Sequence, residues 1–152
     1  MKKIYPVFLL CLVLAVSLCG TAVSVPGRFG INTIIVEVYG FRNDKGDAYV
    51  GLYNSSDGFP TDPDKAYKSA FVPISNGSAT IWFQGIPSGT YAVAVYHDEN
   101  GNKKFDVNLF PFSIEGSGAS NGATGTFGPP SFSDASFNLD KMVKKIQIKI
   151  KY

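Results

Sequence analysis

From residue 34 onward, apolar side chains recur at every second position, in short runs separated by turn formers. A period of two sends successive side chains to opposite faces of an extended strand. The pattern therefore commits the chain to β-structure with an apolar face on each strand. Ile34, Val36 and Val38 alternate with Ile35, Glu37 and Tyr39. Ala48, Val50 and Leu52 form a return strand after Arg42-Asn43-Asp44-Lys45-Gly46, which carries the residues of a hairpin turn. Lys68–Pro73 is a third strand, and Ser75-Asn76-Gly77 is a tight turn before Ala79, Ile81 and Phe83. Ile86-Pro87-Ser88-Gly89-Thr90 turns the chain into Tyr91, Val93 and Val95. Ala135, Phe137 and Leu139, then Ile146, Ile148 and Ile150, close the series.

About seven short strands without a helical stripe predict an all-β chain: a seven-stranded antiparallel β-sandwich of transthyretin-like or immunoglobulin-like topology. Inward Val, Ile and Phe against outward polar residues predict one dry and one wet face on each sheet. Lys145, Lys149 and Lys151 interleave the last apolar run. They suit a solvated edge strand, or a contact for a polyanion.

The segment before the sandwich reads differently. Met1-Lys2-Lys3 precedes an apolar run to Leu18, with small residues after it. This is the pattern of a secretory signal peptide, with cleavage expected after Ser24 and residues 25–152 left as one domain. Lipoprotein processing at Cys19 is the runner-up. The run is shorter than the roughly 20 residues of a membrane span, so no stable span is expected once the leader is removed. Cys11 and Cys19 are the two cysteines of the chain, and both lie inside the leader. The domain, placed in the periplasm or secreted, then has no disulfide and relies on its core or on a metal. The 14 basic residues of the whole chain fall to 12, equal to the 12 acidic ones, when Lys2 and Lys3 leave. That balance argues against a nucleic-acid partner, which calls for a basic surplus.

The strand from Tyr91 runs into His97-Asp98-Glu99-Asn100-Gly101-Asn102-Lys103-Lys104-Phe105-Asp106. Ca²⁺ takes six to eight oxygens, supplied at alternate positions of a tight loop. Asp98, Asn100, Asn102, the Lys104 carbonyl and Asp106 stand at the first, third, fifth, seventh and ninth places of such a loop. Leu109 stands where the closing bidentate Glu belongs, so Glu115 or Asp134 would have to fold back. Weak affinity is expected. The competing reading is an Asx-rich turn whose side chains cap local amides without a metal.

His97 is the single histidine. A zinc site needs three or four N or S ligands, which one His cannot supply. Its neighbour Asp98 falls on the opposite strand face, so a histidine–carboxylate pair does not form there. The expected role is a strand-end hydrogen bond to the loop, in a protein that is not an enzyme. A hydrolase built on His97 and nearby carboxylates is a remote third class.

Residues 103–133 carry Phe105, Phe110, Phe112, Phe127 and Phe132 among Gly and Ser. They are expected to pin a long loop over the open end of the sandwich. Alternatively Phe110, Phe112, Phe127 and Phe132 form a surface for a small apolar ligand, a glycan or a partner protein.

Five segments carry a resemblance. They are Phe41-Arg42-Asn43-Asp44-Lys45-Gly46, Val50-Gly51-Leu52-Tyr53-Asn54, Ile86-Pro87-Ser88-Gly89-Thr90-Tyr91-Ala92-Val93, Tyr96-His97-Asp98-Glu99-Asn100-Gly101-Asn102 and Phe127-Gly128-Pro129-Pro130-Ser131-Phe132. Together they resemble the bacterial domain-of-unknown-function family numbered 2141. The resemblance spans essentially Ile34 to Tyr152 and implies a small exported β-sandwich with no assigned activity. In that family a second glycine usually follows the Asn102 position, where this chain has Lys103. If the backbone there has positive φ, lysine costs on the order of 1 kcal/mol.

Overall fold

A computed structural model describes residues 32–106 and 115–152. The leader, both cysteines, Phe110 and Phe112 lie outside the described residues. Two sheets face each other. The first has the order β4–β1–β8, from β1 (Asn32–Tyr39), β4 (Ser78–Ile86) and β8 (Val143–Lys149). The second runs β3–β2–β5–β6, from β2 (Asp47–Tyr53), β3 (Lys68–Pro73), β5 (Gly89–Asp98) and β6 (Ser117–Ala119), and β7 (Phe137–Leu139) pairs with the start of β5. A short helix α1 (Phe132–Ala135) and 3₁₀ turns at Pro63–Lys65 and Ser120–Gly122 lie between strands. Among the described residues no helix is long and apolar enough to cross a membrane.

The period-two sets meet in the core. Ile34, Val36, Val38, Phe83 and Ile148 from one sheet pack on Val50, Leu52, Val93 and Val95 from the other. Each aliphatic side chain removed from water contributes roughly 1.5–3 kcal/mol. All seven expected strands form, and there is an eighth. Residues 103–133 are not a continuous loop, because β6, a 3₁₀ turn and the start of α1 fall within them. Strand β6 is Ser-Gly-Ala and has no apolar alternation to betray it. Its small residues are dictated by crowding: a Cβ on Gly118 would lie 2.8 Å from Ile148 Cγ2 and from the Lys149 carbonyl oxygen. Paired hydrogen bonds between Ser117 and Lys151, at 2.8 and 2.9 Å, join the β6 edge to the end of the β8 strand.

Three further expectations are corrected. The sandwich is not wholly antiparallel, since β8 runs parallel to β1 in register from Thr33–Val143 to Tyr39–Lys149. The residues at 42–46 do not close a hairpin, because β1 and β2 belong to different sheets. They form an arch between the sheets. Asp44 fixes it by accepting the Asn76 and Gly77 amides, both at 2.8 Å, from a turn in which Asn76 and Gly77 both have positive φ. Third, the outer face of the second sheet is not wet. Strand β5 is buried from Tyr91 to Asp98 without a break. Tyr49 stacks on Tyr96 at 4.6 Å, Phe105 leans on Tyr96, and Phe59 covers Tyr53 with Phe132 packed against Phe59, so aromatic residues from the connections roof this face.

Strand β8 is an edge of its sheet, and Lys145 and Lys149 stand exposed along it. The packing at β6 gives a prediction. Gly118→Ala should destabilise the protein by about 1–3 kcal/mol through overpacking, read as a lower urea midpoint at constant slope. An unchanged midpoint would mean that β6 and β8 are not in contact as described.

Candidate functional site

Strand β5 leaves the sandwich with two polar residues, one on each face. His97 is fully buried against Phe41, at 5.2 Å between ring centroids. Its Nε2 lies 2.7 Å from the Lys45 carbonyl oxygen, which can only accept, so Nε2 carries the hydrogen. Its Nδ1 lies 2.7 Å from the Tyr152 hydroxyl, which accepts the Arg42 amide at 3.0 Å. Both ring nitrogens are therefore occupied in stitching β5 to the arch and to the C-terminal strand. His97 is hydrogen-bonded at the strand end, but its ring partners are the arch and Tyr152, 55 residues away along the chain, rather than the loop that follows it.

Asp98 is 1% exposed on the other face. Its two carboxylate oxygens accept the amides of Asn102 at 3.0 Å and Lys103 at 2.9 Å. A carboxylate removed from water needs such donors. The loop winds tightly to supply them, and Lys103 takes φ +61°. That is the sixth place counted from Asp98, where calcium loops of the helix–loop–helix kind carry glycine for the same sharp turn. The chain makes the turn with lysine and carries the strain.

The remaining alternate residues are linked to one another by hydrogen bonds. Asn100 Oδ1 accepts the Asn102 amide at 2.9 Å, and Asn102 Oδ1 accepts the Lys104 amide at 2.8 Å. The side-chain amides of Asn100 and Asn102 both donate to Asp106 Oδ2, at 2.6 and 2.7 Å. Asp98, Asn100, Asn102 and Asp106 are thus brought together; Lys104 joins through its backbone amide. Of the two carboxylates considered for closing the site, Glu115 folds back and Asp134 does not. Glu115 is 2% exposed and accepts the Glu99 amide at 3.2 Å and the Asp106 amide at 2.9 Å. Asp134 is occupied at the start of α1 with Ser131. Burial pushes the Glu115 carboxyl up, the two amides pull it down, and the charges of Asp106 and Asp98 push it up again, leaving it above its ordinary value.

Glu99 turns the other way. It takes Asn43 Nδ2 at 2.8 Å and is ion-paired to Arg42, which together hold its carboxyl below the usual range. Arg42, Lys45, Glu99, Asn100, Asp106 and Glu115 line an open cleft of about 320 Å³. The sequence signals for this network were the charged residues inside the turn at 42–46 and the acidic second place of the loop. Tyr152 gave none.

The phenylalanines separate. Phe105 packs on Tyr96 and Phe132 on Phe59, as pinning residues do, whereas Phe127 is 90% exposed.

Residues 36–147 match the family model described as an uncharacterized protein conserved in bacteria, the domain of unknown function numbered 2141 (DUF2141). The chain belongs to that family. No curated protein and no solved structure matches it.

Two predictions follow from the loop geometry. Lys103→Gly relieves the positive-φ strain and gives up a 5.9 Å contact of Lys103 Nζ with the Phe71 ring. The net effect should be a stabilisation of about 0.5–1 kcal/mol in denaturant melts, and a loss of stability would contradict the strain. The raised Glu115 carboxyl means that the folded chain holds its proton more tightly than the unfolded chain. Its contribution is fully present below about pH 4.5 and is lost as pH rises through the folded value. In EDTA, stability should therefore fall from pH 4.5 towards 7 more steeply in the parent than in Glu115→Gln. Parallel pH profiles would exclude this role.

Proposed function

We propose that this chain is an exported, non-catalytic β-sandwich whose loop at 98–106 takes a Ca²⁺ ion of low affinity, and that the ion orders the crown. The observation that carries the reading is the hydrogen-bonded linkage of Asp98, Asp106 and Glu115 through the loop amides and the two asparagines, with Glu115 raised first by burial and then by repulsion from Asp106 and Asp98. A divalent cation offsets that repulsion. The oxygens already accept amide hydrogens, but a carboxylate or amide oxygen has a second lone pair to offer. Asp98, Asn100, Asn102, Asp106, Glu115 and the Lys104 carbonyl would then be the donor set, in keeping with the six to eight oxygens that Ca²⁺ takes. Affinity in the range of extracellular modules, about 10⁻⁴–10⁻³ M, suits a site with a strained lysine in its turn.

Burial of His97 with both nitrogens engaged supports a structural reading of that residue over an acid–base one. Export rests on the amino-terminal leader pattern. A second reading, an apolar or glycan ligand or a partner protein on the long connection, is favoured by one feature, the outward Phe127. Phe132 is turned inward and adds nothing to it.

The test is thermal. With a dissociation constant near 1 mM, 10 mM Ca²⁺ adds about 1.4 kcal/mol, or roughly 3–6 °C in Tm for a domain of this size. Asp98→Ala should lose that rise, besides lowering the metal-free Tm by stranding two amides. A parent melt identical in Ca²⁺ and in EDTA would remove the ion from the account.

A further inference from the structure

The outer face of the three-stranded sheet is the one broad strand surface that the connections leave open among the described residues. Trp82 on β4 is 58% exposed and lies opposite Ile35 on β1, which lies opposite Lys145 on β8. Tyr39, 46% exposed, stands four residues further along β1, opposite Lys149. At about 3.4 Å per residue, the two aromatic rings sit roughly 14 Å apart along the strands. Between them the face is polar. Glu37 is ion-paired to Lys145 at 2.6 Å and accepts Gln147 Nε2 at 3.1 Å. Lys149 and Lys151 are exposed and have no ion-pair partner among the described residues.

We infer that this face binds an acidic polysaccharide, a chain bearing uronate carboxylates, laid along the strands from Trp82 to Tyr39. Three features select that occupant. Sugar rings present weakly positive C–H bonds on their faces, and these stack on the negative face of an indole or phenol ring. Sugar hydroxyls can replace the water around Glu37, Lys145 and Gln147. An apolar partner, or the hydrocarbon of a bilayer, would strip that water from the ion pair without replacing it. Lysines along the β8 edge supply the cations that carboxylates on the polymer would meet, so the charge is complementary. The inference stands apart from the cation loop, and its failure leaves that reading untouched.

Trp82 is the single tryptophan of the chain, so its fluorescence reports on this face alone. The experiment titrates the full-length protein with hyaluronan and with polygalacturonate in EDTA, which keeps the loop free of cations. The same polymers are cast into native gels. The expected result is a saturable change in Trp82 emission and retarded migration with both acidic polymers, and neither effect with neutral dextran. Trp82→Thr, which keeps a strand-forming residue at an exposed position, should lose the retardation while melting like the parent. Replacing Lys149 and Lys151 together by glutamine should weaken binding about tenfold and flatten its dependence on salt. No response to either acidic polymer would overturn the inference. So would equal retardation of Trp82→Thr, or emission that changes with phosphatidylglycerol vesicles and not with polysaccharide.

Discussion

A carboxylate taken out of water at the end of β5 sets the conditions for the whole crown. Asp98 is buried because β5 is the central strand of its sheet and is covered on both faces. Left unpaired, such a charge would cost several kcal/mol. Its donors are the amides four and five residues later, and reaching them forces the chain into a tight loop with positive φ at Lys103. The asparagines at alternate places then donate to Asp106, whose own amide donates to Glu115. The acidity of the crown follows from one buried side chain and the geometry required to satisfy it.

The opposite face of the same strand end is held as firmly. His97 ties β5 to the Lys45 carbonyl and to Tyr152, while Arg42 lies over the Tyr152 ring at 4.7 Å and pairs with Glu99. Gly46 lets the arch approach: a Cβ there would lie 1.9 Å from the Asp98 carbonyl oxygen. Arch, loop and final strand therefore form one interlocked layer above the core. A chain without disulfides in its folded domain gains rigidity at that end from polar contacts that are each modest but share partners.

Much of this was legible in the residues. Alternation located six of the seven expected strands, because each has apolar side chains that mark its inner face; Lys68–Pro73, which buries no residue fully, was placed without that signal. It missed β6, where Gly118 is squeezed by Ile148 and the strand carries no apolar signal. Turn chemistry located residues 42–46 but not their role. A hairpin and an inter-sheet arch use the same Asn, Asp and Gly, and only long-range packing decides between them. The dry outer face of β5 was hidden because Ala92, Ala94 and Tyr96 are neutral in pattern, and cover comes from residues distant in sequence, Phe59 and Phe132 beside Ala92 and Tyr49, Phe71 and Phe105 around Tyr96. At the crown, the spacing of Asp98, Asn100, Asn102 and Asp106 picked out residues that the structure links by hydrogen bonds. Choosing Glu115 over Asp134 required the pairing of His97 with Gly116, a backbone contact that no local pattern announces.

The central claim is that these oxygens act together as one cation-responsive centre rather than as separate turn caps. The most direct measurement is a calcium titration of the amide NMR spectrum. The account predicts that the amides of Glu99, Asn102, Lys103 and Asp106, which bind Asp98 and Glu115, shift together with one midpoint while strand amides in the core stay put. If those four resonances remained unmoved in a folded protein at tens of millimolar calcium, or drifted with unrelated midpoints, the crown would be a set of hydrogen-bonded turns and nothing more.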